Sequence, residues 1–360
     1  MLHILFLFNA VPARAREGIY SDCLTWDTVR QIYQALAAGG NKIYPLNLRR
    51  PSQLEQALLR LPKLHLAFVL AEGFLDEPHT LYDGSGAAAV RKLLNYYDVP
   101  ASHSPVETME ICRNKSLTYR VLQKYGFPVP RHRLVDPGKG DSDTQLARAV
   151  AALGFPLFVK PNGGGNSIGI DADSLVGNYE QLQRKVEALT QNLGPLPILV
   201  EEYLSGQELT IGVLGQSPSY VLPPLVFTGR KIRTMTIKRE ENEAVSLTAA
   251  DERYIYLGRL AAQVFSRLGA RDALRLDLRA DSQGRFYVID VNGTPSLNPT
   301  SSLTAMALSL GLTYTQLINF VLYQSLLNYG FLPGNRLQDL VAPVVEALRP
   351  YSWEKDLWPS

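Results

Sequence analysis

Residues 275–303 read RLDLRADSQGRFYVIDVNGTPSLNPTSSL, and this stretch decides the fold of the 360-residue chain. Two apolar runs flank the turn signal Asp281-Ser282-Gln283-Gly284, so the segment reads as a β-hairpin. Asp277 falls near the start of the first strand, and Asp290 and Asn292 fall at the end of the second. The hairpin brings all three toward one end. Two carboxylates and an amide oxygen there make a hard oxygen cluster suited to Mg²⁺, which takes few protein ligands and shares the rest with phosphates.

The same residues resemble a known pattern. Arg-x-Asp, a glycine turn, acidic-x-Asn-x-x-Pro and a Ser-Leu pair are similar to the C-terminal signature of ATP-grasp ligases of the D-alanine–D-alanine ligase group. The resemblance implies that Asp277, Asp290 and Asn292 hold two Mg²⁺ ions (Mn²⁺ being able to substitute) against the ATP phosphates. It also implies that Arg275 meets the acyl phosphate and the tetrahedral intermediate. Alone, Asp277 or Asn292 would read as an ordinary turn residue. The order and spacing of the whole set favour a site.

A second signal is Val159-Lys160-Pro161 followed by Asn162-Gly163-Gly164-Gly165-Asn166-Ser167. A strand ending in lysine and then a glycine loop can fold over polyphosphate, since glycines let backbone N–H groups come close to phosphate oxygens. No GxxxxGK[ST] motif is present, so this is not a P-loop. The segment resembles the ATP-grasp glycine-rich loop. That makes Lys160 a nucleotide lysine and Ser167 a phosphate-contacting residue. Lys115, in Asn-Lys-Ser, resembles the family's other ATP lysine. In LVEEYLSGQEL, Glu201 and Leu204 resemble the adenine slot and Glu208 the ribose-binding glutamate. A long loop at 228–250 resembles the family's closing loop, with Lys238 as its γ-phosphate lysine. Closure of such a loop would exclude water from an acyl phosphate.

Bulk properties agree with an enzyme of this size. The chain suggests two or three lobes. Hydrophobic content is 46% and net charge +2, which gives no reason to expect nucleic acid or a membrane as partner. Cys23 and Cys112 are too few for a disulfide framework and fit a reducing cytoplasm. No run approaches the roughly 18 apolar residues of a membrane span.

The fold class expected is α/β: an ATP-grasp fold of three lobes, with ATP between the central and C-terminal lobes. Residues 1–103 alternate strand and helix and read as a doubly wound parallel lobe, including a short strand from 99 to 102. Its ligand loops should lie beyond strand ends, at 9–21 and 72–77. Residues 104–193 form the central lobe, 194–332 the C-terminal lobe, and 333–360 a Pro- and Trp-containing tail without assigned role.

The resemblance implies phosphorylation of a carboxylate by ATP, followed by amine attack to give an amide. Substrate contacts carried over are Glu17, for the ammonium of the first amino acid, and Ser301, Ser302 and Leu303, for the carboxylate of the second. A homodimer is implied as well. Three departures point to an altered substrate pocket. Glu72 stands where the family has histidine, Asp290 replaces glutamate, and Ser296 replaces glycine and restricts φ. These suggest an amino acid acceptor joined to a specialised donor, with mycosporine-glycine as one candidate. A D-alanine–D-alanine or D-lactate ligase is the alternative within the class, and an inactive nucleotide-binding regulatory protein the alternative outside it.

Overall fold

The computed structural model describes residues 1–165, 168–227, 244–246 and 252–353. The N-terminal lobe runs β1 (His3–Phe8), α1 (Trp26–Ala38), β2 (Lys42–Asn47), α2 (Pro51–Arg60), β3 (Leu66–Val69) and α3 (Gly86–Tyr96). The three strands pair in parallel in the order β2-β1-β3. Successive β1 side chains point to opposite faces, and both faces are apolar. Ile4, Phe6 and Phe8 join Ile32 and Leu36 of α1, whereas Leu5 and Leu7 join Leu54 of α2 and Leu94 of α3. The strand expected at 99–102 reduces to a single bridge between Ala101 and Ala67. Pro100 offers no N–H, and His103 turns left-handed at φ 65°, so the pairing cannot extend.

α4 (Val106–Cys112) and α5 (Lys115–Lys124) lead into the central lobe. Its elements are β4 (His132–Val135), α6 (Ser142–Leu153), β5 (Leu157–Pro161), β6 (Leu175–Val176), α7 (Tyr179–Leu193) and β7 (Ile198–Glu202). The sheet is antiparallel in the order β4-β7-β5-β6. Leu146 and Ala149 of α6 and Leu182, Val186 and Leu189 of α7 share one core cluster with Leu157, Val159 and Val200 of the strands.

The third lobe holds β8 (Glu208–Gly215), β9 (Ser219–Val221), β10 (Leu225–Phe227), β11 (Ala244–Ser246), α8 (Glu252–Arg267), β12 (Ala273–Ala280) and β13 (Phe286–Asn292). Strand order is β11-β10-β8-β12-β13, with β9 on β8. α9 (Ser302–Ser309), α10 (Tyr314–Asn328), α11 (Asn335–Leu348) and β14 (Ser352–Trp353), which pairs with β9, complete the described chain. The described part of the segment to which the sequence assigned no role, through Trp353, is therefore structural. α11 buries Leu337, Val341, Val344 and Leu348 in the same cluster as Phe320 of α10 and Ile32 of α1, and so helps cover the N-terminal sheet. Among the described residues no single helix is long and apolar enough to cross a membrane.

A buried carboxylate ties the lobes together. Asp272, left-handed at φ 61° just before β12, accepts from the backbone N–H of His103 (2.6 Å), from Ser325 Oγ and from Asn328 Nδ2 (2.7 Å). Burial pushes its pKa up to about 6, against the pull of these donors and of Arg271. The folded state then binds this proton more tightly than the unfolded chain, whose aspartate titrates near 4. Stability from Asp272 is fully present below pH ~4 and is lost as pH rises through about 6. Urea unfolding of the parent and Asp272→Asn should show the parent losing about 3 kcal/mol relative to the variant between pH 4 and pH 7.5. A pH-independent difference would remove this assignment. Leu337 is fully buried. Leu337→Ala should cost ~2–5 kcal/mol in the same assay if α11 is an integral part of the core.

Candidate active site

The hairpin of β12 and β13 sets the geometry. Asp277 pairs directly with Asp290, and Arg275 with Asn292. Partners directly opposite share a face, as do residues two apart along a strand, so all four side chains lie on one face. Leu276 and Val291, on the other face, are buried in the core beneath. The register shifts after Asp277, so that Leu278 pairs with Val288 and Ile289 is left unpaired. This bulge releases the Ile289 carbonyl from the ladder. It accepts from Lys160 Nζ (3.0 Å) and lies 2.8 Å from Tyr119 Oη.

Lys160, at the end of β5, also meets Glu201 Oε1 of β7 at 2.9 Å and donates to Tyr119 Oη at 3.1 Å. Tyr119 Oη donates to Glu201 Oε2 at 2.9 Å. Lys160 and Glu201 are each buried to about 5% exposure and satisfy one another, as buried charges must. Glu201 therefore offers a carboxylate already engaged by two side chains. Leu204 presents its carbonyl to Arg279 Nε (2.6 Å), and Glu208 meets Arg279 Nη1 at 3.0 Å. The Arg279 guanidinium also lies over the Tyr203 ring.

The two lysine motifs are stitched together. Asn114 caps α5 by accepting from Leu117 N–H. Asn162 donates to Asn114 Oδ1 (3.0 Å) and accepts from Ser116 N–H (2.8 Å). Lys115 Nζ then reaches the Gly164 carbonyl at 3.0 Å and Asp290 Oδ1 at 3.8 Å. Burial lowers its pKa, opposed by the nearby Asp290 charge. Of the three glycines that follow, Gly163 and Gly164 are needed for a close approach to the N-terminal lobe, and Gly165 lies against two of its charged side-chain ends. A Cβ on Gly163 would come within 2.6 Å of the Asp83 carbonyl, and one on Gly165 within 2.6 Å of both Arg113 Nη1 and Asp22 Oδ2.

Eight of the residues singled out in the sequence line one cleft of about 850 Å³ between the two antiparallel sheets: Lys115, Lys160, Glu201, Leu204, Glu208, Arg275, Asp277 and Asp290. Asp277 is held by a fork from Arg275 (Nε 2.9 Å, Nη2 3.0 Å) and by Thr210 Oγ1 (2.7 Å). Among the described residues no three His, Cys, Asp or Glu side chains converge. The protein offers a hard cation two carboxylates and the Asn292 amide, a set that suits Mg²⁺ sharing its shell with phosphates.

A second, smaller cavity, open to solvent, adjoins residues 292–297. Glu72 lines it, positioned by Asn9 at the end of β1, which accepts from the Glu72 N–H at 2.8 Å. Ser296 lines it too, and its φ is not left-handed, so the backbone there does not require glycine. Arg91 of α3, buried and pushed down to about 10 by desolvation, donates to Thr294 Oγ1 (2.8 Å) and fixes the turn after β13. Glu17 is exposed, and Asp22, five residues on, lines the cavity instead. Ser301 caps α9 and donates to the Ser296 carbonyl (2.7 Å). Ser302 is half-buried at the first helical position, and the Leu303 side chain is fully buried in the core. Ser167 and Lys238 lie outside the described residues.

Sequence reading missed Tyr119, Asp22, Arg113 and Arg279. The alternation Arg-Leu-Asp-Leu-Arg carried a signal for Arg279, since it places Arg279 on the face of Arg275 and Asp277. Arg113 ends α4 and pairs with Glu72 across 41 residues, at a side-chain exposure of only 7%. No local pattern announces that contact.

Comparison with known proteins agrees with this geometry. A family model described as D-ala D-ala ligase C-terminus matches residues 121–323, more than half of the chain. A D-alanine–D-alanine ligase of Pseudomonas putida (strain GB-1) is 29% identical over 285 residues, covering 76% of this chain and 80% of that protein. One from Desulforudis audaxviator is 28% identical over 306 residues, covering 80% and 89%. Among solved structures, the D-alanine–D-alanine ligase of Bacillus anthracis complexed with ATP superposes with a TM-score of 0.68 at 19% identity, covering 91% of this chain and 98% of that one. The VanG D-Ala:D-Ser ligase of Enterococcus faecalis gives 0.68 at 17%, covering 90% and 99%. The parallel N-terminal lobe and the two antiparallel sheets are thus the expected ATP-grasp architecture, and the chain belongs to the D-alanine–D-alanine ligase family as an ATP-grasp, ADP-forming ligase.

Proposed function

We propose that this ligase uses ATP and Mg²⁺ to activate a small carboxylic acid as its acyl phosphate and joins it to an amino acid through an amide bond. The observation that carries the reading is the convergence of Lys115, Lys160, Arg275 and the four carboxylates of Glu201, Glu208, Asp277 and Asp290 on one cleft beside a second cavity. ATP would lie between the sheets, with Lys115 and Lys160 toward its phosphates and Glu208 toward its ribose. Asp277, Asp290 and Asn292 would hold Mg²⁺, which neutralises phosphate charge when bound.

In the first step a donor carboxylate oxygen bonds to the γ-phosphorus as the bond to the β-phosphate oxygen breaks and ADP leaves. In the second step the acceptor nitrogen bonds to the acyl carbon, phosphate leaves and the nitrogen gives up a proton. The protein contributes positioning and charge rather than a covalent intermediate. Arg275 is suited to the negative charge that develops on the acyl oxygens. Burial works against its charge, but the carboxylates of Asp277, Asp290 and Asp22 outweigh this and raise its pKa. For the acceptor carboxylate, Ser301 and Ser302 and the backbone N–H of Leu303 stand at the start of α9, where N–H groups lack helical partners.

The relatives compared above carry D-alanine, not mycosporine-glycine, in their names. That supports a small amino acid as donor over the more specialised expectation. Cys23 and Cys112 are buried free thiols, which supports a reducing compartment. The homodimer implied by the resemblance remains part of this proposal.

Asp290→Ala should lower ATP-dependent phosphate release, measured with a small amino acid panel and Mg²⁺, by about 10²-fold or more. Lys160→Met should leave Glu201 buried without its cation and cost ~3–5 kcal/mol of stability as well as nucleotide affinity. Turnover by Asp290→Ala at the parent rate would remove Asp290 from the metal set. Phosphate release with D-alanine as the only amino acid would establish the D-alanine ligase reading.

A further inference from the structure

The second cavity is walled by Leu24, Leu70 and Leu297 on its apolar side. Most of its polar groups are already engaged. Asn292 Oδ1 accepts from Thr294 N–H, Thr294 Oγ1 accepts from Arg91, and Ser296 Oγ accepts from Asn298 N–H. Arg113 differs. Its Nη2 donates to Glu72 Oε2, but Nε and Nη1 have no hydrogen-bond partner among the described residues. The residue is 6% exposed and lines the cavity. It is also rigidly placed, because its own N–H bonds to Met109 and the next residue caps α5.

Neither N–H is among the orphaned buried atoms of the described residues, so both are open to solvent, and a ligand that displaces this solvent is favoured when it supplies an oxygen in its place. A methyl group would leave both N–H groups dry. A second carboxylate would meet the charges of Asp22 and Glu72, which flank Arg113. A neutral oxygen meets neither objection.

We propose that Arg113, held by Glu72, determines donor specificity by donating to a neutral oxygen on the donor, so that the enzyme activates a carboxylic acid bearing a hydroxyl or amide-carbonyl substituent where D-alanine bears only a methyl. This rests on the ligation proposed above and takes the smaller cavity, which adjoins the metal residue Asn292, as the place of the carboxylate donor.

The test titrates D-alanine, D-serine and D-asparagine by calorimetry into the protein saturated with Mg²⁺ and a non-hydrolysable ATP analogue. In parallel, phosphate release from ATP is followed with glycine as acceptor, and the products are identified by mass. D-Serine or D-asparagine should bind the parent roughly 10- to 100-fold more tightly than D-alanine. Arg113→Met should bring that ratio close to one, and Arg113→Lys, which keeps the charge without the fork, should restore only part of it. Equal or tighter binding of D-alanine by the parent, binding of none of the three, or an unchanged ratio in both variants would overturn the proposal. The two readings fail separately. An intact binding preference without phosphate release would sink the ligation scheme and keep Arg113, whereas release with D-alanine and no preference would do the reverse.

Discussion

The pairing of Asp277 with Asp290 across β12 and β13 is the constraint on which the rest depends. A slip of β13 by one residue against β12 would send Asp290 and Asn292 into the core and bring Val291 to the cleft, away from Arg275 and Asp277. The apolar face is buried, so the register is strongly specified. The bulge at Ile289 adds a second constraint. It makes a backbone carbonyl of the C-terminal sheet available to Lys160 and Tyr119, and so links that sheet to the central lobe at the point where the cleft opens. One irregularity in a ladder thereby fixes the distance between two lobes.

The polar interior is arranged around this cleft in closed sets. Lys160, Glu201 and Tyr119 satisfy each other, and Arg279 links the Leu204 carbonyl to Glu208. Such groups contribute little net stability after desolvation, but they hold side chains in one geometry. Arg91 does the same for the turn after β13, and Asp272 for the junction of β12 with α10 and residue 103. The sites that cost most to bury are those that orient functional loops.

Much of this was legible in the sequence because the signals were local. Strand, turn and strand at 275–292, the glycine run after Lys160, and the Asn-Lys-Ser helix start each carry their reason within a few residues. What escaped depends on partners far along the chain. Arg113 reads as an ordinary cation at a helix end, and only folding sets it against Glu72. Glu17 looked like the acidic group of the first loop, yet the 3-10 turn at Gly18–Tyr20 leaves it exposed and carries Asp22 inward. The Gly163–Gly165 run suggested approach to phosphate, and nothing local in it shows that Gly163 and Gly164 also lie against the carbonyls of Asp83 and Tyr82. α11 was hidden by Pro343, a helix breaker by rule that is accommodated within it. β9 and β10 are three residues each, too short for a period to show.

α11 also bears on how the molecule is made. Its apolar face covers helices that in turn cover the parallel sheet, so strands β1 and β2 are sealed by a segment synthesised more than 280 residues later. Domains synthesised as continuous pieces can finish in order of translation. Here the N-terminal lobe is completed after the central one. Until α11 arrives, the nascent chain leaves the apolar surface around Phe320 and Leu36 incompletely covered, whereas the central lobe, whose core draws only on residues 135–200, already has its partners.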